Sequence, residues 1–277
     1  MEWLILPAVA GSMLLIWLGL PVLLRSMGLH RRFAAPKRNL RGMRALVIAT
    51  SHDTLGDTGK KTGVFASEMT APYYTFLDAG MDVDVASIRG GVIPVEPMSV
   101  KWPLKSDHDD RFLKDKDLRR KVAAAKSVSE VDGARYNAVF LAGGWGAAFD
   151  FEQSPELGRL LLQAEDAGAV IGGVCHGPLG LLAARRGNGQ PLVNGRALTA
   201  VTDKQVRELG ITHTPRHPER DLRAAGARFE SSTRFRDIFA SHVTVDGRLV
   251  TGQNQNDGAE TADRMMQVVL NAARREG

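Results

Sequence analysis

The stretch VIGGVCHGPLGLL, residues 170–182, decides how the rest of the chain is read. An apolar β-branched run ends in Gly172-Gly173-Val174, meets Cys175-His176, and continues through Gly177-Pro178 into a leucine-rich segment. Gly-x-Cys-x-Gly between a strand and a helix is the cysteine form of the nucleophile elbow, whose turn is so tight that small flanking residues are required. This position would put the sulfur at a helix N-terminus, where unpaired N–H groups and the helix dipole lower a thiol pKa. The His176 N–H and a donor from the Gly143-Gly144 turn could then receive a developing alkoxide, making Gly144 and His176 the candidate oxyanion hole. The alternative is a small, inert, buried cysteine. Cys175 is the only cysteine in the chain, so no intrachain disulfide is possible.

Outward from that motif, the sequence alternates strands and helices. MRALVIAT (43–50), MDVDVASI (81–88), YNAVFLAGG (136–144) and AVIGGV (169–174) read as strands. SEMTAPYYTFLDAG (67–80) and SPELGRLLLQAEDAG (154–168) read as helices, the second with a serine cap, a proline in its first turn and a closing glycine. The stretch after Cys175 reads as a helix to about Arg185, and a short helix is expected from Asp203. HVTVDGRLVTG signals a hairpin at Asp246-Gly247, and an amphipathic helix follows from about Asp257. The charged residues 98–135 read as a solvated helical insertion. This order predicts an α/β fold with a doubly wound, mostly parallel sheet and a site at the carboxyl ends of its strands.

The net charge of +5 is local. Residues 1–44 carry Arg25, Arg31, Arg32, Lys37, Arg38, Arg41 and Arg44 against Glu2 alone, which leaves the remaining body near neutral and argues against a nucleic-acid partner. Residues 3–24 are uncharged and mostly apolar, long enough as a helix, at roughly 33 Å, to cross a bilayer core of about 30 Å. No Lys or Arg precedes them, which disfavours a cleaved signal peptide. The expectation is a transmembrane anchor (1–25) inserted in the lipid bilayer through residues 3–24, a basic juxtamembrane linker (26–42) and an α/β domain (43–277). The positive charges that follow the span would place this domain in the cytoplasm.

Four segments, TGVFASEMTAPYYTFLDAGMDVDVASIRGGVIPVEP, AGGWGAAFDF, GGVCHGPLGLL and LVTGQNQNDGAETA, resemble the PfpI-like branch of the class I glutamine amidotransferase-like superfamily, nearest its chaperone and glyoxalase III subgroup. The resemblance spans about residues 43–273. It implies a flavodoxin-like fold, a homodimer, and a site made of Cys175, His176 and Glu68. Thr62-Gly63, Glu68, Pro72 and Gly80 match the family pattern around the glutamate, which read alone would be a capping or surface carboxylate. Asp203 falls where some members carry an acid that orients the histidine, although it also suits a helix cap. The chain departs from the subgroup at Lys204-Gln205, at Trp145 in the glycine turn, and in THTPRHPERDL.

The chemistry implied is a cofactor-independent conversion of a small 2-oxoaldehyde to a 2-hydroxy acid. Consistent with that, the sequence holds no P-loop, Rossmann fingerprint or Cys/His metal spacing. Amide hydrolysis is the alternative enzyme. His217-Pro218-Glu219 satisfies its His-x-Glu string, but follows Cys175 too closely and sits at a helix start. A chaperone or redox-sensing role for an exposed reactive cysteine and a protease complete the alternatives.

Overall fold

The computed structural model describes residues 18–276. Among the described residues nine strands form in order: β1 Arg44–Ala49, β2 Asp82–Ser87, β3 Lys126–Ser127, β4 Ala138–Leu141, β5 Val170–Val174, β6 Ala197–Leu198, β7 Arg228–Phe229, β8 Val243–Asp246 and β9 Leu249–Gly252. Seven of them make one sheet in the order β3-β2-β1-β4-β5-β9-β8, and β6 and β7 pair separately. All neighbours in the large sheet run parallel except β8 and β9, the predicted hairpin. Apart from Arg44 at the start of β1, the central strands are buried because both faces are covered, and such strands read as continuous apolar runs.

Helices Ala66–Asp78 and Gly258–Glu276 cover one face, their core built on Met69, Phe76, Met265 and Val47. Pro155–Asp166 covers the other, packing Leu157, Leu160 and Leu161 against Val139 and Ile171. Ser154 caps this helix by accepting the Leu157 N–H, and Pro155 occupies its first turn. The charged insertion forms two short helices, Asp107–Lys114 and Lys116–Ala123, that bury mainly Phe112, Leu118 and Val122. The strand order reverses between β1 and β4, and loops from β1, β4, β5 and β9 converge at that end of the sheet. A flavodoxin-like, mostly parallel sheet is therefore present, with its switch point where a ligand site belongs.

The N-terminal expectation is corrected. Among the described residues no helix is long and apolar enough to cross a membrane, so the anchor at 3–24, and the localisation derived from it, do not stand. Residues 3–17 of that run lie outside the described residues. Its described end, helical over 18–27, turns at Gly28 (φ +121°) and runs onto the folded body. Leu29 and Leu40 are buried. Arg25 pairs with Asp107 at 2.6 Å, the His30 N–H donates to Asn256 Oδ1 at 2.7 Å, and Arg38 binds Asp263 through two hydrogen bonds. The segment expected as a linker thus packs against the protein, with Arg31, Arg32 and Arg38 paired to Glu260, Asp107 and Asp263.

Candidate active site

Cys175 follows β5 directly and has φ +59°, a left-handed conformation that costs a non-glycine residue about 1–3 kcal/mol and persists where surroundings enforce it. Two backbone bonds do so: its N–H donates to the Gly252 carbonyl at 3.3 Å, and its carbonyl accepts the Val201 N–H at 3.0 Å. Gly177 is required just beyond, because a Cβ there would stand 2.1 Å from the Leu141 carbonyl oxygen. The segment that follows is a six-residue 3-10 helix, Gly177–Leu182, instead of the α-helix the sequence suggested. The tight packing of this leucine-rich turn beneath β4 and β5 leaves little room for a wider helix.

Three of the four predicted side chains bear directly on the sulfur's surroundings. His176 places Nδ1 3.4 Å from Cys175 Sγ. Glu68, in the first turn of Ala66–Asp78, sets its carboxyl beside the thiol, close enough to share a proton. Its Oε2 is buried with no hydrogen-bond partner. That oxygen fits only because position 143 is glycine: a Cβ there would lie 2.3 Å from it and 2.8 Å from the His176 nitrogen. The backbone N–H groups of Gly144 and His176, the predicted oxyanion donors, both point at the sulfur.

Asp203 meets His217 and Glu219. It is the first residue of helix Asp203–Glu208, whose cap is Thr202, and its Oδ1 is buried without a hydrogen-bond partner, as is His176 Nε2. Asp203 Oδ1 lies 3.7 Å from His217 Nδ1, and the Asp203 N–H donates to Glu219 Oε2. His217-Pro218-Glu219 therefore lies next to Asp203, while the imidazole paired with the sulfur belongs to His176.

Burial dominates the electrostatics. It pushes the Glu68 carboxyl up to about 8, and the nearby Asp257 carboxylate adds to this while the Cys175 contact opposes it. Burial and the Glu68 charge push the Cys175 thiol up, against the N–H groups of Gly144 and His176. The lowered thiol pKa expected from a helix start is thus reversed: the turn is short, and desolvation of the thiolate outweighs its dipole. His176 is lowered to about 3 by burial, so it is neutral at ordinary pH. Thiol and carboxyl are one coupled pair, and losing the first of its two protons creates the nucleophilic form.

The site opens into a cavity of about 190 Å³ walled largely by apolar side chains, including Phe65, Leu104, Trp145, Leu209 and Ile238. Trp145, the departure in the glycine turn, packs edge to face on His176 at 5.0 Å between ring centroids. The polar contributions come from Cys175, His176, Glu68, Glu96, Gln205 and Gln255. Gln205 Nε2 donates to Gln255 Oε1, and Gln205 Oε1 accepts from Asn254 Nδ2, tying the departure at Lys204-Gln205 to the loop after β9. Asp257 closes that loop by accepting from Ser241 Oγ and the N–H groups of Gln253 and Asn254. Sequence reasoning assigned no role to Gln205, Gln255 or Asp257; the available signal was the polar run Gly252–Asp257 directly after an apolar strand. Among the described residues, no group of three or more His, Cys, Asp or Glu side chains is gathered to hold a metal ion.

Comparison with known proteins agrees with this architecture. Residues 61–268 match the DJ-1/PfpI family. The chain is 30% identical over 246 residues to glutathione-independent glyoxalase HSP31 of Saccharomyces cerevisiae, covering 86% of this chain and all of that one. It is 27% identical to glyoxalase 3 of Candida albicans, over 79% and 94% of the two chains. Among solved structures, Rapid Encystment Protein 24 kDa of Francisella tularensis superposes with a TM-score of 0.76 at 30% identity, over 82% and 99% of the chains. Glyoxalase III of Candida albicans superposes at 0.72 and 25%, over 82% and 97%. With a matching family model over most of its length and a relative of this similarity, the chain belongs to the DJ-1/PfpI family.

Proposed function

We propose that this protein is a glutathione-independent glyoxalase, converting a 2-oxoaldehyde and water to a 2-hydroxy acid. The observation that supports this most directly is the meeting of thiol, carboxyl and neutral imidazole in a desolvated pocket with two N–H donors at the sulfur. The singly protonated pair supplies the nucleophile: the Cys175 sulfur adds to the aldehyde carbon, forming a C–S bond, and the carbonyl oxygen takes up a proton to give a hemithioacetal. Gly144 and His176 N–H groups meet the charge that develops on this oxygen. Glu68, assisted by His176, removes the hydrogen on C1 as a proton, and the electron pair moves through an enediol to C2, which is reprotonated. The result is a thioester of the 2-hydroxy acid. Water adds to its carbonyl, the C–S bond breaks, and the sulfur regains its proton as the acid leaves.

This cycle is redox-neutral overall, since C1 is oxidised as C2 is reduced. The relatives named glyoxalases support the same assignment. Amide hydrolysis would use the other histidine, and His217 is not the sulfur's partner. The deciding experiment offers the purified protein methylglyoxal, glutamine and a peptide, each also with Cys175→Ala. Lactate formed from methylglyoxal and lost in the variant is the expected result. Equal lactate from both proteins would remove Cys175 from the reaction, and ammonia released from glutamine alone would replace the reaction itself.

A further inference from the structure

The cavity beside Cys175 has more apolar wall than a methyl-bearing substrate can use. Once the two carbonyl carbons occupy the end formed by Cys175, Gly144 and Glu68, whatever C2 carries faces Leu29, Leu104, Trp145, Leu209 and Ile238. At about 30 Å³ per water, a cavity of about 190 Å³ holds roughly six waters, so a methyl group would leave much of this wall against solvent.

Leu29 is the informative member of the wall. It comes from the segment before the family match begins at residue 61, yet it is only 2% exposed and lines the same cavity as Cys175. Its position is fixed from both sides. Gly28 passes so close to Phe239 that a Cβ would stand 2.6 Å from the Phe239 carbonyl oxygen, and its φ of +121° admits little but glycine. On the other side, His30 donates its N–H to Asn256 and pairs its ring with the Leu104 carbonyl. Arg25 and Arg31 hold the flanks against Asp107 and Glu260.

Building on the glyoxalase function above, we infer that residues 25–32 form a specificity strap. Through Leu29 it completes an apolar subsite for 2-oxoaldehydes whose C2 carries a branched alkyl or aryl group larger than methyl. Each methylene buried there is worth about fourfold in kcat/KM.

The test measures kcat/KM for methylglyoxal and for 4-methyl-2-oxopentanal, which carries isobutyl on C2, in the full chain and in Leu29→Trp and Leu29→Ala. The expected ratio favours the isobutyl substrate by about tenfold or more in the parent protein. Leu29→Trp fills the subsite and lowers that ratio at least tenfold. Leu29→Ala removes part of the wall and lowers it severalfold. A parent ratio below one, or a ratio constant within twofold across the three proteins, overturns the strap while leaving the glyoxalase function intact. Turnover of neither aldehyde by the parent protein overturns both.

Discussion

The turn that carries the sulfur and the wall that faces the substrate are built in opposite ways. Cys175, His176 and Gly177 are consecutive and rise from a buried parallel strand, and Cys175 is held in a strained backbone by bonds to Val201 and Gly252. The wall is gathered from separate places: Leu29 before the first strand, Leu104 in the insertion, Trp145 after β4, Leu209 and Ile238 in the segments between β6 and β8. A turn fixed by the sheet preserves the geometry that bond-making requires. A wall made of loop residues can be exchanged without disturbing that geometry, because loops tolerate substitution better than the strands they connect. Substitutions at the sulfur are therefore expected to change rate, and substitutions in the wall to change preference.

The largest effect belongs to Glu68→Gln. Loss of the proton carrier lowers kcat for methylglyoxal by about 10²–10⁴. Stability should move the other way. The folded protein keeps the Glu68 proton up to about pH 8, whereas the unfolded chain loses it near the ordinary value of 4.5. Stability therefore falls as pH rises from 4.5 toward 8, the range where the unfolded state alone is ionised, and is lowest above it. Glutamine removes that cost, so the variant gains about 1–3 kcal/mol at pH 7, within an upper bound of about 3. Urea unfolding at pH 5 and pH 7 checks this: a gain equal at both pH values would mean that Glu68 ionisation is not its source. In the parent protein kcat/KM should rise with pH to a plateau above about 8, as the thiol–carboxyl pair loses its first proton.

What could be read from the sequence follows the same division. The buried strands announce themselves as β-branched runs, the Ser154-Pro155 start and Gly168 stop bound a helix, and Asp246-Gly247 marks the hairpin, since each of these signals is local. Cys175, His176 and the Gly143-Gly144 turn were legible because a sharp strand-to-helix turn demands particular residues in a row. The sign of the thiol shift was not: sequence shows a helix start, but the depth of burial that reverses its influence depends on the whole fold. The apolar run at 3–24 reads as a membrane span because length and composition are the only signals it offers, and among the described residues no helix is long and apolar enough to cross a membrane. Beyond it, Leu29 lines the same cavity as Leu104 and Ile238, some 75 and 200 residues away, and no local pattern announces such a gathering.

Asp203→Asn probes the boundary between the two regions. An acid that orients the catalytic histidine is worth about 10⁴ in kcat in a serine triad. Here Asp203 Oδ1 and His176 Nε2 are both buried and unpartnered, and Asp203 faces His217. The expected loss is within about tenfold, measured as kcat with methylglyoxal. A thousandfold loss would mean that Asp203 turns to His176 during the reaction, which would extend the fixed catalytic unit into the helix Asp203–Glu208.

The smallest effect is the one that separates charge from shape. Asp257 does not touch the sulfur; its carboxyl, raised to about 6 by burial, is held by Ser241 Oγ and backbone N–H groups, and its negative charge helps to keep Glu68 protonated. Asp257→Asn keeps one acceptor oxygen for this loop and removes the charge. The midpoint of the rise in kcat/KM with pH should then move to lower pH, by a few tenths to about one unit, as expected for losing a like charge. The same variant should leave the preference between methylglyoxal and 4-methyl-2-oxopentanal within twofold, whereas Leu29→Trp changes that preference and leaves the pH midpoint in place. If Asp257→Asn altered preference as strongly as Leu29→Trp, the loop after β9 would be shaping the wall as well as the electrostatics, and the two regions would be one.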